Sequence, residues 1–288
     1  MIAPPTPAPS AGALNVIASL LEQRTGQQIA ANRAWRVETA LKPLLREEGL
    51  ASLDALVARL VRDADLTLSE RTVEALLNQE TSFFRDPGVI DQIHVAARAM
   101  QADSPDRRLR LWSAACSTGQ EPLSLAMLFS EHPEWADRMP DIHATDISTS
   151  AIARAKAGRF TQFEVQRGLP IKRMVRWFEP AGNDWQASPE LISRIQFRRH
   201  NLVGEPPLPG RFDVILCRNV LLYLSHPLRR QIFDDLAQAL RPGGLLVLGA
   251  SETVIGQTDA LIPCRTFRGF YRRALEARPL GAPLTLAR

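Results

Sequence analysis

The apolar residues in the first quarter of the chain recur at intervals of three and four positions. Residues 13–22, 29–48 and 52–61 show this spacing, and a further segment begins near Ser69. Such a period places the apolar side chains on one face of a helix. The pattern therefore predicts four helices that form an all-α N-terminal helical domain over residues 13–72.

From residue 109 onward, short apolar runs alternate with amphipathic helical patterns. This alternation predicts an α/β fold with a parallel, doubly wound sheet, in which ligands bind beyond the carboxyl ends of the strands. The predicted strands are Leu109–Ala114, Ile142–Thr145, Ile195–His200, Phe212–Cys217, Leu245–Gly249 and Phe267–Ala274. The predicted helices between them are Glu121–Glu131, Thr149–Ala157 and Pro227–Leu240.

Between Arg159 and Ser193 prolines and glycines interrupt the alternation. We expect an insertion here, with one helix over Lys172–Phe178 and a small β-subdomain at about residues 178–196. Insertions beside the ligand edge of a sheet often contact a substrate or a partner. The other predicted regions are a disordered Pro-rich tail over residues 1–12, a linker helix over 73–90, a sheet-containing domain over 91–276 and a flexible C-terminal tail over 277–288.

Composition narrows the class of protein. Of the 288 residues, 45% are hydrophobic and 23% are charged, as in soluble globular proteins, and no apolar run approaches the roughly 20 residues of a membrane span. Three widely spaced cysteines and five scattered histidines argue against a disulfide framework or a metal site, and favour a reducing cytoplasm. The net charge of +4 permits an acidic partner, whereas nucleic-acid binders usually show a denser basic stripe.

Two loops that follow predicted strands suggest a ligand site. Small residues at 114–119 let the backbone turn tightly beside a ligand, although an ordinary turn explains them equally well. They lack the glycine patterns of dinucleotide and triphosphate sites. Asp146 ends the second strand, where a carboxylate accepts hydrogen bonds from ribose hydroxyls. The alternative role is a helix N-cap, which Ser148 could fill instead. Together the loops favour an uncharged adenosyl group, as in S-adenosylmethionine.

Five specific segments follow one another along the chain. They are NQETSFFRD at residues 78–86, ACSTGQEP at 115–122, ATDI at 144–147, NL at 201–202 and FDVILCRNVLLY at 212–223. Together they resemble the CheR family of chemotaxis receptor glutamate O-methyltransferases, and the resemblance covers essentially the whole chain after the Pro-rich tail. It implies an S-adenosylmethionine-dependent protein-glutamate O-methyltransferase. The implied fold is a Rossmann-like domain with a small inserted β-subdomain and a preceding helical domain.

The resemblance also implies the residues that hold the cofactor. Gln79 stands where the family commonly has Asn, and Ala115 stands where it frequently has Gly. The implied cofactor-binding residues are Gln79, Thr81, Arg85, Ala115, Glu121, Asp146, Asn201, Leu202, Asn219 and Val220.

Methyl transfer to a carboxylate requires alignment rather than a general base, because a glutamate with a pKa of about 4.3 is already ionised at neutral pH. Good alignment is worth on the order of 7–11 kcal/mol. We predict Arg85 as the catalytic residue that grips the substrate carboxylate, since a guanidinium offers a fixed fork of donors. Tyr223 is the second predicted catalytic residue. The alternatives are a surface ion pair with Asp86 for Arg85, and a half-buried helix-start residue for Tyr223.

The second predicted helix has several basic residues. The resemblance implies that such residues lie along the acidic methylation region of the receptor, while a solvated helix face is the alternative. We expect a monomer that neither enters the membrane nor binds nucleic acid, and that does not dock a receptor tail. Rival functions are methylation of a nucleic acid and non-catalytic S-adenosylmethionine binding in signalling. The basic residues are Arg33, Arg36, Lys42 and Arg46.

Overall fold

The computed structural model describes residues 10–29 and 34–274. Its N-terminal part is a four-helix bundle, as predicted. The first helix starts two residues earlier than expected, because Ser10 caps it and accepts a hydrogen bond from the Ala13 amide at 3.1 Å. The rest of the predicted N-terminal tail and the tail over residues 277–288 lie outside the described residues. The helices are α1 Ala11–Thr25, α2 Ala34–Glu47, α3 Leu53–Asp63 and α4 Leu66–Leu76.

The bundle has a hydrophobic core of its own. Ile17 of α1, Leu41 of α2 and Leu56 of α3 are fully buried in one cluster. Burial of each such side chain contributes about 1.5–3 kcal/mol. The apolar spacing in the sequence therefore marks the inner faces of these helices.

The predicted linker helix over residues 73–90 is wrong. Helix α4 ends at Leu76, residues 77–86 are irregular, and a new helix, α5, covers Pro87–Asp103. Phe84 and Asp86 have φ angles of 46° and 55°, which a helix does not allow. Phe83 and Phe84 are buried in the core of the following domain, so tertiary packing draws the segment out of the helical path.

The second part of the chain contains a seven-stranded sheet in the order β6-β2-β1-β7-β8-β10-β9. Strands β6, β2, β1, β7 and β8 pair in parallel, and β10 is antiparallel to β8 and β9. This confirms the predicted fold class, although β9 was not predicted. The strands are β1 Arg110–Ala114, β2 Asp141–Asp146, β6 Ile195–Arg199, β7 Phe212–Cys217, β8 Leu240–Leu248, β9 Leu261–Pro263 and β10 Phe270–Arg273.

Helices cover both faces of this sheet. Helices α5 and α6 (Gln120–Ser130) supply the core on one face, and α11 (His226–Ala239) supplies the core on the other. Helix α7 (Thr149–Ala157) packs against β2 and β6. Within the described residues, no helix combines the length and the hydropathy needed to cross a bilayer.

The inserted subdomain differs from its predicted bounds of about 178–196. Its three-stranded antiparallel sheet has the order β3-β5-β4 and starts at residue 159, because β3 is its first strand. Residues 195–199 belong instead to β6 of the main sheet, paired with β2. The elements of the insertion are β3 Arg159–Thr161, α8 Gln162–Gln166, α9 Ile171–Trp177, β4 Phe178–Ala181, β5 Asp184–Ala187 and α10 Pro189–Ser193.

Candidate active site

A cleft opens where the carboxyl ends of β1, β2 and β7 meet the irregular segment after α4. These three strands are adjacent in the sheet, so the loops that follow them converge at one edge. Residues from all of these elements line the cleft. The predicted site residues among them are Gln79, Thr81, Arg85, Ala115, Asp146, Asn219, Val220 and Tyr223.

The loop after β1 turns sharply at the floor of this cleft. Ala115, Ser117 and Gly119 have φ angles of 60°, 51° and 96°. A side chain at Gly119 would place its Cβ 2.9 Å from the Cβ of Ala155, which leaves room only for glycine there. The Ser117 amide donates a hydrogen bond to Asp146 Oδ2 at 2.8 Å, which ties this loop to the end of β2.

Asp146 is 91% buried, with only 9% of its surface exposed. Its Oδ1 accepts a hydrogen bond from the Ser148 amide at 2.9 Å. Ser148 itself caps α7, so capping does not account for the Asp146 carboxylate. Burial raises the pKa of Asp146 above its ordinary value, while the two amide donors oppose that rise. The carboxylate is thus fixed by backbone groups and retains acceptor capacity toward the cleft.

Residues 78–86, the first of the five segments and hereafter the first motif, are attached to the sheet through Gln79. Its side-chain Nε2 donates to Ser148 Oγ at 3.0 Å, and its carbonyl accepts from Ser117 Oγ at 2.8 Å. Glu74 of α4 strengthens the junction, because its carboxylate accepts from Ser148 Oγ at 2.6 Å and from the Thr149 amide at 2.7 Å. Ser117 lies in the segment at 115–122 but was not predicted as a site residue, because its contacts to Gln79 and Asp146 arise only in the fold. Glu74 was missed because it lies outside the recognised segments.

Arg85 lies in the cleft and does not pair with Asp86. Its Nη2 donates to Glu80 Oε2 at 3.0 Å, and 31% of its side chain is exposed. The Asp86 carboxylate accepts instead from Arg218 Nη2 at 2.6 Å. The alternative interpretation of Arg85 as a surface partner of Asp86 is therefore wrong.

Arg218 was not predicted as a site residue, yet its buried side chain connects the first motif to the sheet. Its side chain is 2% exposed and pairs with Glu121 Oε2 at 3.1 Å as well as with Asp86. It also donates to the Arg85 carbonyl at 3.0 Å. Glu121, a predicted cofactor ligand, accepts in addition from Ser113 Oγ at 2.7 Å, so it lies beneath the cleft and supports Arg218. The sequence signal for Arg218 is its position directly after an apolar strand, where a charged side chain needs a buried partner.

The loop after β7 is held by Glu252, which was also not predicted. The Glu252 carboxylate accepts four backbone hydrogen bonds, from Asn219 at 2.7 Å, Val220 at 3.0 Å, Leu221 at 2.8 Å and Gly249 at 2.9 Å. Asn219 has a φ of 61°, so this support holds it in a sparsely populated conformation. Its buried Oδ1 accepts no hydrogen bond from any described residue.

Tyr223 ends a 3-10 turn that follows this loop. Its hydroxyl oxygen accepts a hydrogen bond from Asn78 Nδ2, which leaves its own proton free to point into the cleft. Its carbonyl accepts from the Gln28 amide at 2.8 Å, and Gln27 forms an isolated β-bridge with Leu224. The segment that follows α1 is thus attached to the loop that carries Tyr223, hereafter the tyrosine loop.

A family model described as "CheR methyltransferase, SAM binding domain" matches residues 79–269, which include most of the residues that line the cleft. The chain belongs to the CheR methyltransferase family. The cofactor of this domain is S-adenosylmethionine. Asn219 has a buried, unpaired Oδ1, and the Asp146 carboxylate lines the cleft. Both are acceptors of the kind that the ammonium and ribose hydroxyls of the cofactor require, so these residues fit it.

Curated relatives align along most of this CheR chain. Chemotaxis protein methyltransferase Cher2 of Pseudomonas putida is 35% identical over 246 residues, which cover 83% of this chain and 89% of that protein. Chemotaxis protein methyltransferase 1 of Pseudomonas aeruginosa is 37% identical with the same coverage. Among solved structures, a TehB-like methyltransferase from Corynebacterium glutamicum covers 53% of this chain and 60% of its own, at 18% identity and a TM-score of 0.32. A TM-score this low supports no inference.

Three predicted ligands of the CheR cofactor do not line the cleft in this structure: Glu121, which lies beneath it, Asn201 and Leu202. Asn201 follows β6 and donates to the Arg24 carbonyl at 3.2 Å, while its Oδ1 accepts from the Val203 amide at 3.0 Å. Leu202 packs against the apolar core on the α11 side of the sheet. The predicted contact of Asn201 and Leu202 with the adenine stays a prediction.

The basic residues of α2 differ in exposure in this CheR protein. Lys42 and Arg46 are exposed. Arg36 is half-buried and lines a groove between the bundle and the Tyr223 loop. Arg33 lies outside the described residues.

Two buried cysteines and a stacked pair of histidines are other potentially reactive groups of the CheR fold: Cys116, Cys217, His94 and His132. Burial raises the pKa of the thiols of Cys116 and Cys217 well above the ordinary value, so neither is an activated nucleophile. His94 and His132 stack with ring centroids 3.9 Å apart, next to Glu134. His94 Nε2 accepts from the Trp135 indole at 3.0 Å, which engages the lone pair that a metal would need.

Proposed function

We propose that this CheR protein transfers the methyl group of S-adenosylmethionine to glutamate carboxylates of chemotaxis receptors, giving glutamate methyl esters. The supporting observation is the convergence in one cleft of a half-exposed guanidinium, Arg85, with the buried carboxylate of Asp146. The names of the relatives, chemotaxis protein methyltransferases, support the same substrate class.

The chemistry requires no base from the protein. When bound, the cofactor would supply an electrophilic methyl group on a sulfonium, with a neutral thioether as the leaving group. An ionised glutamate already has the attacking electron pair. The residues of the cleft therefore act by binding, alignment and exclusion of water.

Arg85 and Tyr223 are the residues that we assign to the substrate. The Arg85 guanidinium offers two parallel donors to a carboxylate, and its partial exposure leaves it reachable from outside. The Tyr223 hydroxyl, which accepts from Asn78, directs its proton toward the same cleft. Together they would orient the carboxylate with one oxygen facing the methyl group.

The cofactor would be held on the side of the sheet. Asp146 accepts from the ribose hydroxyls and Asn219 Oδ1 from the ammonium, while Val220 and Ala115 supply nearby walls. Thr81 and Gln79 close the site from the motif. We keep Asn201 and Leu202 as predicted contacts of the adenine.

Receptor docking would involve the basic side of α2. Lys42 and Arg46 are exposed, and Arg36 lines a groove that leads to Tyr223. An acidic helical segment of a receptor would therefore approach along α2, and its binding would weaken as salt is added. Arg33 is assigned to the same surface from the sequence alone. We further propose that the protein acts as a monomer in the cytoplasm and without nucleic acid.

Transfer of a tritiated methyl group tests this function. Purified protein, labelled S-adenosylmethionine and receptor-containing membranes should give labelled receptor, and mild base should release the label as methanol. Base-stable label on nucleic acid would indicate a different substrate class. Cofactor binding without transfer to any receptor would indicate a non-catalytic role.

A further inference from the structure

The inserted subdomain packs against the first motif at Phe83, two residues before Arg85. The ring of Phe83 packs edge-on against Phe160 and Phe178, with ring centroids 5.1 Å and 5.6 Å away. A Cβ added at Gly168 would overlap the Phe83 carbonyl oxygen, so the two backbones are in direct contact. The subdomain therefore fixes the motif at its centre through apolar contacts.

Polar contacts extend this grip to the active site. The Arg173 guanidinium lies over the Phe84 ring, 4.1 Å from its centroid, and is paired with Glu131. Arg167, between α8 and α9, forms an ion pair with Glu80 Oε1. The other oxygen of the same carboxylate, Oε2, accepts from Arg85 Nη2 at 3.0 Å.

Glu80 is therefore shared by two arginines, and only one of them is assigned to the substrate. Its carboxylate has the same chemistry as the glutamate that Arg85 must bind. A substrate carboxylate thus has to compete with Glu80 for the Arg85 guanidinium. The side chains of Glu80, Arg85 and Arg167 are 38%, 31% and 46% exposed, so the pairs are weak enough to exchange.

We propose that Arg167 is a positioning residue for methyl transfer, which draws the Glu80 carboxylate toward the subdomain and keeps Arg85 available to the substrate glutamate. This inference rests on the proposed role of Arg85 in holding the substrate. Without Arg167, Glu80 would pair with Arg85 alone. The Glu80 carboxylate would then compete more strongly with the substrate glutamate for the Arg85 guanidinium. Without both Arg167 and Glu80, the competitor is gone.

The experiment compares Arg167→Ala, Glu80→Gln and the double variant in the full-length protein, with a receptor cytoplasmic fragment as substrate. Arg167→Ala should raise the KM for the receptor about two- to fivefold, the range that follows from one exposed ion pair. Its kcat at saturating receptor should stay near the wild-type value, because excess substrate displaces Glu80. The double variant should return to the KM of Glu80→Gln.

A matched control lies in the same subdomain. Arg159 forms an exposed ion pair with Asp184 across β3 and β5, away from the motif, and Arg159→Ala should leave the receptor KM unchanged. Arg167→Lys, which retains the charge, should restore most of the wild-type KM. Affinity for S-adenosylhomocysteine, measured by calorimetry, should be equal in all of these proteins, which separates a substrate effect from a damaged cofactor site.

Two outcomes would overturn the inference. A wild-type KM in Arg167→Ala shows that Arg167 does not influence Arg85. A raised KM that persists in the double variant shows that Arg167 braces the motif rather than restraining Glu80. Arg85→Ala, measured in parallel, isolates the proposed function: normal turnover there would remove Arg85 from substrate binding, whatever the Arg167 variants do.

Discussion

The cleft has two walls that hold their charged groups in different ways. The sheet wall, formed by the ends of β1, β2 and β7, fixes the carboxylates of Asp146 and Glu252 with backbone amides. On the motif wall, residues 78–86, the cleft-facing guanidinium of Arg85 is held by an exposed side chain, Glu80. The donating amides lie in the short loops directly after β1, β2, β7 and β8, so the sheet limits their movement. An exposed ion pair, by contrast, is worth only about 0–1 kcal/mol. One wall is therefore pre-organised and the other adjustable.

This difference suits two ligands with different demands. A cofactor of constant shape gains affinity from a rigid site, because little ordering remains to be done when it binds. A glutamate of a separate protein approaches from outside, and a partly exposed arginine can adjust its position to it. The comparison predicts that changes on the sheet wall affect cofactor binding and stability, and that changes on the motif wall affect turnover.

The largest effect is expected at the motif wall itself. Arg85→Ala should lower kcat by about 100-fold, a loss typical of a reactant that is no longer aligned in the active site. Affinity for S-adenosylhomocysteine should fall only modestly, because the sheet wall is intact. Single-turnover methylation and calorimetry measure the two quantities, and near-normal turnover would contradict the assignment of Arg85.

Glu252→Gln, a change on the sheet wall, should affect folding stability and cofactor binding more than turnover. A glutamine keeps one acceptor oxygen and turns an NH2 group toward amides that also donate, so at least one buried N–H loses its partner. We expect a loss of about 2 kcal/mol of folding stability by urea denaturation, with weaker binding of S-adenosylhomocysteine. Glu190→Gln, which breaks only an exposed pair with Arg194, is the matched control. Equal stability of both variants would show that Glu252 does not fix the loop.

A smaller gain is expected on the sheet wall at Ala115. Its φ of 60° costs an L-residue about 1–2 kcal/mol, and glycine avoids that cost while losing more entropy on folding. Ala115→Gly should therefore stabilise the protein by about 0.5–1 kcal/mol. Ala64→Gly, at the end of α3 with a φ of 46°, should give a similar gain in urea denaturation without any change in cofactor affinity. Destabilisation at Ala115 would mean that its methyl group is needed in the cleft.

The smallest effect concerns pH and lies outside both walls. Burial lowers the pKa of His94, and the neighbouring His132 lowers it further. The unfolded chain takes up a proton near pH 6.5 while folded His94 resists it, so stability should fall as the pH drops below about 6.5, by at most about 1.4 kcal/mol per pH unit. His143, whose pKa burial also lowers, adds a slope of the same sign. Urea denaturation at pH 7.5 and 5.5 should show a smaller difference in His94→Gln than in the wild type, whereas the exposed His226→Gln should match the wild type.

Much of the fold was predictable because its long elements repeat a simple period. The helices of the bundle and the parallel strands β1, β2, β6 and β7 lie within a few residues of their predicted bounds. The predicted linker helix failed because Phe83 and Phe84 are drawn into another core, which local spacing does not reveal. The subdomain strands have only three or four residues, too few to show an alternation.

The candidate site was predictable where chemistry lies within a recognisable segment. Asp146, Asn219 and Arg85 all belong to such segments, and the structure brings them to one cleft. Glu252 was missed because it lies outside these segments and its partners are backbone amides. Arg218 lies within the segment at 212–223, but its role was missed because its partners, Asp86 and Glu121, are distant in the sequence. Only the folded chain shows which acidic residue meets a row of amides.

The main-chain bridge from Gln27 and Gln28 to the Tyr223 loop has a consequence for how the enzyme opens. This one bridge, which includes the hydrogen bond from the Gln28 amide to the Tyr223 carbonyl, couples the segment after α1 to the tyrosine loop. Receptor binding that displaces the bundle would therefore also displace the backbone of Tyr223. A fluorescent label near the end of α1 would consequently report the position of the tyrosine loop during turnover.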